Sequence, residues 1–422
     1  MSHRLYHVRP CLRLGRVLIS VILLLSLLLT SCGPTGTPEP SYAVDTRQVA
    51  ASNALGFDLL SALYAENKAG NVFISPLSIH MALSMTYNGA ANATQEAMAD
   101  ALRLDGLTLQ ELNEASAGLG QSLDRAIKAD SKAVSFSLAN SIWAREGAAF
   151  YDEFMERNQL YYDAEVGVLD FGDDKAARTI NRWVERATKR RIKEIVQAPI
   201  NPLTVMFLIN AVHFKGAWQT PFDKKQTEQR PFYLPDGQQQ QVPLMSLRHT
   251  LAYAQGESWQ MVSLPYGDEG RLSMIVLLPE DRFGAETLLE NLDASRWQEM
   301  VRGMEKTKGF VAMPRFSVEY KATLNEALQA LGMGVAFDPN HADFSRLRPI
   351  PPNVYISEVK HKTFIEVNEE GAEAAAATSV EITLKSALVK TFNMVADHPF
   401  IYGIQDNETE ALLFLGLMNA PQ

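Results

Sequence analysis

The histidines, serines and acidic residues of this chain form no recognised catalytic or metal-binding motif. GxSxG, HExxH, GxxxxGK[ST], GxGxxG and CxxC are all absent. A Ser/His/Asp triad that meets only in space would leave no such motif. The pattern nevertheless favours a protein that is not an enzyme and that uses no metal and no cofactor. Six of the eight histidines lie beyond the N-terminal segment, without ligand spacing: His80, His213, His249, His341, His361 and His398.

The stretch Val367–Thr391 is the most unusual in the chain. Small side chains run from Ala372 to Ala377, interrupted only by Glu373, after a Glu-Glu-Gly corner. Alanine favours helix, so an exposed helix is one interpretation. Strand-like segments flank the run, however, and apolar residues alternate with polar ones from Ser379 to Lys385. The segment therefore also fits a loop that can enter a sheet.

The N-terminus is typical of an export signal. Four arginines and no acid precede an apolar run of 13 residues, Val17 to Leu29, which is too short to span a membrane comfortably. Leu29-Thr30-Ser31-Cys32 then resembles the bacterial lipobox, in which the cysteine is lipidated after cleavage. We expect a signal peptide at 1–31, the lipidated Cys32 with a Pro/Gly/Thr-rich linker at 32–45, and one domain at 46–422. Such a protein is exported and anchored at the cell envelope or extracellular surface.

Composition limits the possible partners. The only cysteines are Cys11 and Cys32, so the exported domain has no disulfide and depends on its core. Removing residues 1–31 takes away four arginines and changes the net charge from −10 to about −14. Nucleic acid is therefore an unsuitable partner. The basic run Lys189–Lys193 is interpreted as the solvated end of a helix.

Hydrophobic periodicity predicts a mixed α+β domain. A helix is expected over 46–66. Next come a strand at 71–74 and a buried helix capped by Ser75, with Pro76 at its first position. Asn92 and Gln95 predict a capping box for another helix. The chain should end in a buried hairpin, PFIYGIQ and ALLFLGLM. Further strands are predicted at 134–144, 205–214, 272–278 and 309–313, and further helices around 180–187 and 324–331.

Six motifs, in this order, resemble the serpins over roughly residues 46 to 420: NVFISPLSIHMAL, LANSIWA, LINAVHFKGAWQTPF, VSLPYGDEGRLSMIVLLPE, ISEVKHKTFIEVNEEGAEAAAAT and ADHPFIYGIQDNETEALLFLGLM. The resemblance implies an α+β serpin fold with three β-sheets, about nine helices and an exposed reactive-centre loop. It also implies suicide inhibition: a protease cleaves the loop, forms an acyl-enzyme, and is distorted when the loop inserts into the main sheet.

The resemblance assigns a hinge and a scissile bond to the opening stretch. Small side chains suit insertion, although Ala372 stands where the family usually has Thr. Fifteen positions from Gly371 place the bond between Lys385 and Ser386, which favours trypsin-like targets. A hinge one residue shorter would place Leu384 before the bond and favour chymotrypsin-like or elastase-like targets. The implied hinge comprises Glu369, Glu370, Gly371, Ala372, Glu373, Ala374, Ala375, Ala376, Ala377 and Thr378.

Other positions match the region where serpin sheets open. Ser75, Ser78, Asn210 and His361 match a polar cluster, and Trp218 matches an aromatic residue at the top of the opening. Arg315 and Glu369 match a charge pair there. Plain core or surface roles are the alternative for each of them. The helix expected near 107–129 carries more acids than bases, so no heparin activation is expected.

Three functions remain open at this point. The first is a monomeric, lipid-anchored inhibitor that forms a covalent acyl complex with a serine protease. The second is inhibition of cysteine proteases by the same fold. The third is a non-inhibitory serpin that acts as a binding protein, which the small hinge residues disfavour.

Overall fold

The computed structural model describes residues 40–202, 204–351, 353–371 and 391–422. Over these ranges the chain forms nine α-helices and three β-sheets, as predicted, within a compact unit Tyr42–Gln422. The helices are α1 (Thr46–Glu66), α2 (Pro76–Tyr87), α3 (Asn92–Ala101), α4 (Leu109–Ala129), α5 (Asp152–Tyr162), α6 (Lys175–Ala187), α7 (Ala285–Glu290), α8 (Ala294–Arg302) and α9 (Asn325–Ala330). The strands are β1 (Val72–Ile74), β2 (Val134–Arg145), β3 (Glu165–Leu169), β4 (Met206–Gly216), β5 (Glu228–Tyr233), β6 (Gln239–Gln255), β7 (Trp259–Pro265), β8 (Leu272–Pro279), β9 (Glu305–Pro314), β10 (Phe316–Thr323), β11 (Lys360–Val367), β12 (Thr391–Val395), β13 (Phe400–Asp406) and β14 (Leu412–Met418).

The largest sheet has nine strands. Its order is β1-β14-β13-β8-β7-β6-β9-β12, and β5 pairs with one end of β6. Every residue of β8, β13 and β14 is buried, as their unbroken apolar sequences require. Phe73, Tyr402 and Phe414 stack there, with ring centroids 5.1 to 5.6 Å apart. The predicted C-terminal hairpin is therefore the centre of the hydrophobic core.

Helix α2 lies in the core beneath the two smaller sheets. Ser75 caps it by accepting a hydrogen bond from the Ser78 N–H at 3.3 Å, and Pro76 occupies its first turn. Eleven of its twelve residues are buried, because its sequence is apolar on nearly every side. Because α2 is enclosed on nearly every side, it is a rigid support for the strands that pack on it.

The two smaller sheets lie side by side without pairing across the gap in the described residues. One is β3-β2-β4 and the other is β10-β11. Strands β4 and β11 both run toward the Ala217–Gly371 bridge, so they point in the same direction. A strand that ran back from Gly371 between them would be antiparallel to both.

Helix α6 covers the outer face of the three-stranded sheet. Its residues Ile180, Trp183 and Val184 are buried in a hydrophobic cluster of their own, together with Trp143 of β2 and Ile209 of β4. The edge of Trp183 packs on Trp143 with ring centroids 6.3 Å apart. The sheet is therefore held between α2 on one face and α6 on the other.

Two details differ from the sequence-based expectations or add to them. The capping box predicted at Asn92 is wrong: Ala91 is the N-cap without a side-chain hydrogen bond, and Asn92 has φ 48°. The Asn92 side chain instead donates to Asp343 at 2.7 Å. A capping box that was not predicted joins Thr108 and Glu111 at the start of α4. Within the described ranges, no helix is both long enough and apolar enough to cross a membrane.

Candidate functional site

The upper end of the gap between β4 and β11 is closed by the chain that follows β11. Gly371 forms an isolated antiparallel bridge with Ala217, directly after β4, and the Trp218 N–H donates to the Glu370 carbonyl at 3.1 Å. Gly371 has φ +118°, and a Cβ there would lie 2.2 Å from the Gly216 carbonyl oxygen. Only glycine fits this close approach without strain. The chain thus leaves the top of the gap in a fixed turn at Gly371.

Trp218 forms the aromatic part of this closure. Its ring stacks on Tyr266 with centroids 4.3 Å apart and 12° between the planes, and it packs edge-on against Phe222 at 5.9 Å. Its indole N–H donates to the Asn368 carbonyl at 2.8 Å. Because this hydrogen bond joins the end of β11 to the segment after β4, Trp218 ties the two sheets together at their tops.

Glu369 is a buried carboxylate in the same place, with 1 % of its surface exposed. It accepts hydrogen bonds from the Arg315 guanidinium and, at 2.6 Å, from the Thr227 hydroxyl. Burial alone would raise the pKa of Glu369, but the hydrogen bonds from Arg315 and Thr227 outweigh that effect and lower it. The charge pair implied by the resemblance is therefore formed, and it holds the closure in place.

The lower part of the gap contains the polar cluster. The Ser75 N–H donates to His361 Nε2 at 3.1 Å, and the Ser78 hydroxyl donates to the side-chain amide oxygen of Asn210. The Asn210 amide in turn donates to Asn140 on β2 at 2.6 Å. The two serines belong to the start of α2, whereas Asn210 lies on β4 and His361 on β11. The start of α2 thus bonds to both sides of the gap.

A cavity of about 630 Å³ lies at this level, lined by Ser78, Asn210 and His361 among others. It separates the lower halves of β4 and β11 above α2. Each of these strands has a partner on one side only in the part of the chain that is described. The gap is therefore open below and tied at the top.

The segment after α6 crosses this gap on the outside. Lys189 donates to the Ser135 hydroxyl on β2, while the Arg191 guanidinium lies 5.1 Å from the Phe364 ring of β11. Arg191 also lies 4.0 Å from the Glu366 carboxylate. The interpretation of this basic run as a solvated helix end is therefore incomplete, because Arg191 packs against the far strand.

Four contributors were not predicted from the sequence. Asn140 shows a weak signal, as an amide in the middle of the otherwise apolar LANSIWA strand. Thr227, Tyr266 and Asn368 show none, because their roles come from contacts with residues far away in the chain. The other predicted site residues lie outside the described ranges: Cys32, Ala372, Glu373, Ala374, Ala375, Ala376, Ala377, Thr378, Lys385 and Ser386. The described residues contain no group of acidic, histidine or cysteine side chains able to hold a metal ion.

His361 gives the cluster a pH dependence. Burial lowers the pKa of its imidazole from 6.5 to about 3, so the ring is neutral in the native state and accepts from Ser75. Between these two values the unfolded chain binds more protons than the native chain does. The native state is therefore expected to lose stability as the pH falls from 6.5 toward 3, by up to about 1.4 kcal/mol per pH unit.

Thermal unfolding followed by circular dichroism at pH 7.5, 6.5, 5.5 and 4.5 measures this effect. His361→Gln should show a shallower decline of Tm than the wild type. Burial also lowers the pKa of His80, to about 4, and that contribution is common to both proteins. Parallel profiles for the two proteins would mean that the cluster tolerates a charged imidazole.

The two smaller sheets thus face each other across a gap between β4 and β11 that is tied at its top and lies over the buried helix α2. The chain belongs to the serpin family: residues 50–421 match the family model described as Serpin (serine protease inhibitor). Members of this family are generally protease inhibitors rather than enzymes.

Relatives and solved structures agree with this assignment. Leukocyte elastase inhibitor from Homo sapiens is 33% identical over 382 residues, covering 88% of this chain and 98% of that protein. An uncharacterised serpin-like protein from Methanosarcina acetivorans is 32% identical, with coverage of 88% and 86%. Tengpin, a thermophilic serpin, superposes in its native state with a TM-score of 0.81 at 32% identity, covering 90% of this chain and 96% of tengpin.

Proposed function

We propose that this serpin inhibits serine endopeptidases of trypsin-like specificity by trapping them as acyl-enzymes. The observation that supports this function is the open gap between β4 and β11, from whose upper end the chain departs at Gly371. Fourteen residues, 372 to 385, separate that point from the proposed bond. Extended at about 3.3 Å per residue they span about 46 Å, more than the roughly 36 Å of the eleven-residue β4.

The chemistry of the first step belongs to the protease. Its serine oxygen attacks the carbonyl carbon of Lys385, the bond to the nitrogen of Ser386 breaks, and that nitrogen leaves as a protonated amine. An ester then joins Lys385 to the protease, and the chain is cut. The freed segment can now run back from Gly371 between β4 and β11, antiparallel to both.

Insertion would give the unpaired edges of β4 and β11 a hydrogen-bonded strand between them. The segment would need to part the closure at Trp218 and Glu369 and to pass the cluster at His361. The protease, still esterified to Lys385, travels with the inserting strand and loses its active geometry before water reaches the ester. The inhibitor would act while exported and held at the cell envelope through the lipidated Cys32.

Denaturing gels and mass spectrometry test this function. With trypsin we expect a covalent band at the summed mass of the two proteins, and a released C-terminal peptide that begins at Ser386. Subtilisin and papain run beside it. Cleavage without a covalent band would indicate a non-inhibitory serpin, and a band with papain alone would indicate a cysteine-protease inhibitor. A released peptide that begins at Lys385 would move the bond to Leu384.

A further inference from the structure

One face of the nine-stranded sheet is basic, although the chain as a whole has a net charge of −10. This face is next to residues 372–390, which we call the reactive segment. In the register of β6 and β9, Arg248 pairs with Phe310, Thr250 with Lys308 and Ala252 with Lys306. Residues two apart on a strand share a face, so Arg248, Lys306 and Lys308 lie on the same side. We call these three residues the basic face. Arg248 and Lys306 are exposed, and Lys308 is half-buried.

Few acids balance the charge of this face. Strands β6 and β12 contain no Asp or Glu, and β9 contains only Glu305, which alternates to the opposite side. Arg248 and Lys306 form no salt bridge with any residue in the described ranges. The Arg248 guanidinium is held 4.7 Å from the centre of the Phe310 ring, so its position is fixed while its charge stays available.

The basic face is close to where a protease must sit. Thr391 follows the reactive segment, begins β12 and pairs with Lys308. Thr391 lies six positions after Lys385, and six steps along the chain span at most about 21 Å. An interface of the usual size covers about 800 Å² per partner, a disc roughly 16 Å in radius. A protease bound at Lys385 therefore reaches to within about 5 Å of Thr391 even when the intervening chain is fully extended, which is within the range of electrostatic steering.

We infer that the basic face is an accessory docking surface for a target protease that carries acidic residues beside its active site. This inference rests on the proposed function, because the reactive segment brings the protease to the sheet. Opposite charges would orient the protease before Lys385 enters its specificity pocket, and would raise the association rate rather than the yield of trapped complex. The partner is thus a trypsin-like protease with an anionic surface.

The test uses two trypsins that share the lysine pocket, one anionic and one cationic. Association rate constants are measured at 25 and 300 mM NaCl for the wild type and for Arg248→Glu/Lys306→Glu. The double variant should associate with the anionic trypsin at least about tenfold more slowly at low salt, and the difference should shrink at high salt. Its rate with the cationic trypsin should be unchanged or higher. Arg178→Glu/Lys321→Glu, which has the same net charge and alters exposed residues of α6 and β10, should stay within twofold of the wild type.

The outcomes separate this inference from the proposed function. If neither trypsin forms a covalent band with the wild type, the proposed function fails. If both are trapped but the double variant changes their rates equally or not at all, the function stands and the docking surface is refuted. Loss of retention on immobilised heparin, with protease rates unchanged, would assign the face to a polyanion and would likewise refute it.

Discussion

Replacing Ala376 by Glu, or Ala374 by Pro, is expected to turn the inhibitor into a substrate that proteases cleave and release. Both residues belong to the segment between Gly371 and Lys385 that must enter the gap. One face of an inserted strand would lie against α2. The even-numbered residues from Ala372 to Leu384 are all small or apolar, whereas Glu373 and Glu381 are odd-numbered, so the even-numbered side chains are the ones that would meet α2. A glutamate would therefore be buried without a partner, at a cost of several kcal/mol. Proline would remove an N–H from the centre of a sheet and obstruct pairing.

Either cost would slow insertion, which competes kinetically with hydrolysis of the ester. Raising the activation free energy of insertion by about 3 kcal/mol reduces the rate of insertion by about two orders of magnitude. Hydrolysis of the ester would then precede insertion in nearly every encounter. The yield of covalent complex with trypsin should therefore fall from near complete to a few per cent. Ala376→Ser is the control. Serine is also small and uncharged, so this variant should keep the wild-type yield.

Two measurements test the prediction for the hinge variants. Densitometry of denaturing gels gives the ratio of covalent complex to cleaved inhibitor. Thermal unfolding after cleavage gives an independent readout, because an inserted strand should raise Tm sharply in the wild type and much less in the variants. A Glu or Pro variant that still forms full-yield complexes would contradict insertion through this gap.

Much of the fold follows from local patterns. The apolar hairpin β13–β14, the Ser75 cap of α2 and the glycine after α9 are each specified by residues close together in sequence. Asn92 shows where this approach fails. Its side chain is drawn away from the helix end by Asp343, which lies 251 residues further along the chain, and no local pattern contains that information.

The site residues likewise include some that local sequence indicates and others that depend on distant contacts. Gly371 could be singled out from its neighbours, but the 2.2 Å approach that demands glycine involves Gly216, 155 positions earlier. Ser75 and His361 were assigned through the family resemblance, and the hydrogen bond between them spans 286 positions. The open gap itself could not be derived from strand patterns, because β4 and β11 are each ordinary strands whose mutual separation is a property of tertiary packing.

Replacing Lys385 by Leu is expected to reduce the association rate with trypsin by at least about a thousandfold. The trypsin pocket holds a buried Asp that pairs with a lysine side chain, and leucine would leave that carboxylate without its partner. The same change should create an inhibitor of chymotrypsin-like proteases, since their pocket accepts an apolar side chain. Hinge and gap are unaltered, so the yield of covalent complex per encounter should remain high.

Lys390→Leu is the matched control, because it makes the same substitution in the same segment but five residues beyond the bond. Its trypsin rate should remain within twofold of the wild type. If Lys385→Leu still traps trypsin at the wild-type rate, the scissile bond lies elsewhere. If the wild type already traps chymotrypsin rapidly and the released peptide begins at Lys385, then Leu384 is the specificity residue and the hinge is one position shorter. The two assignments differ by one residue in the length of strand that fills the gap, so this substitution also measures the inserted segment.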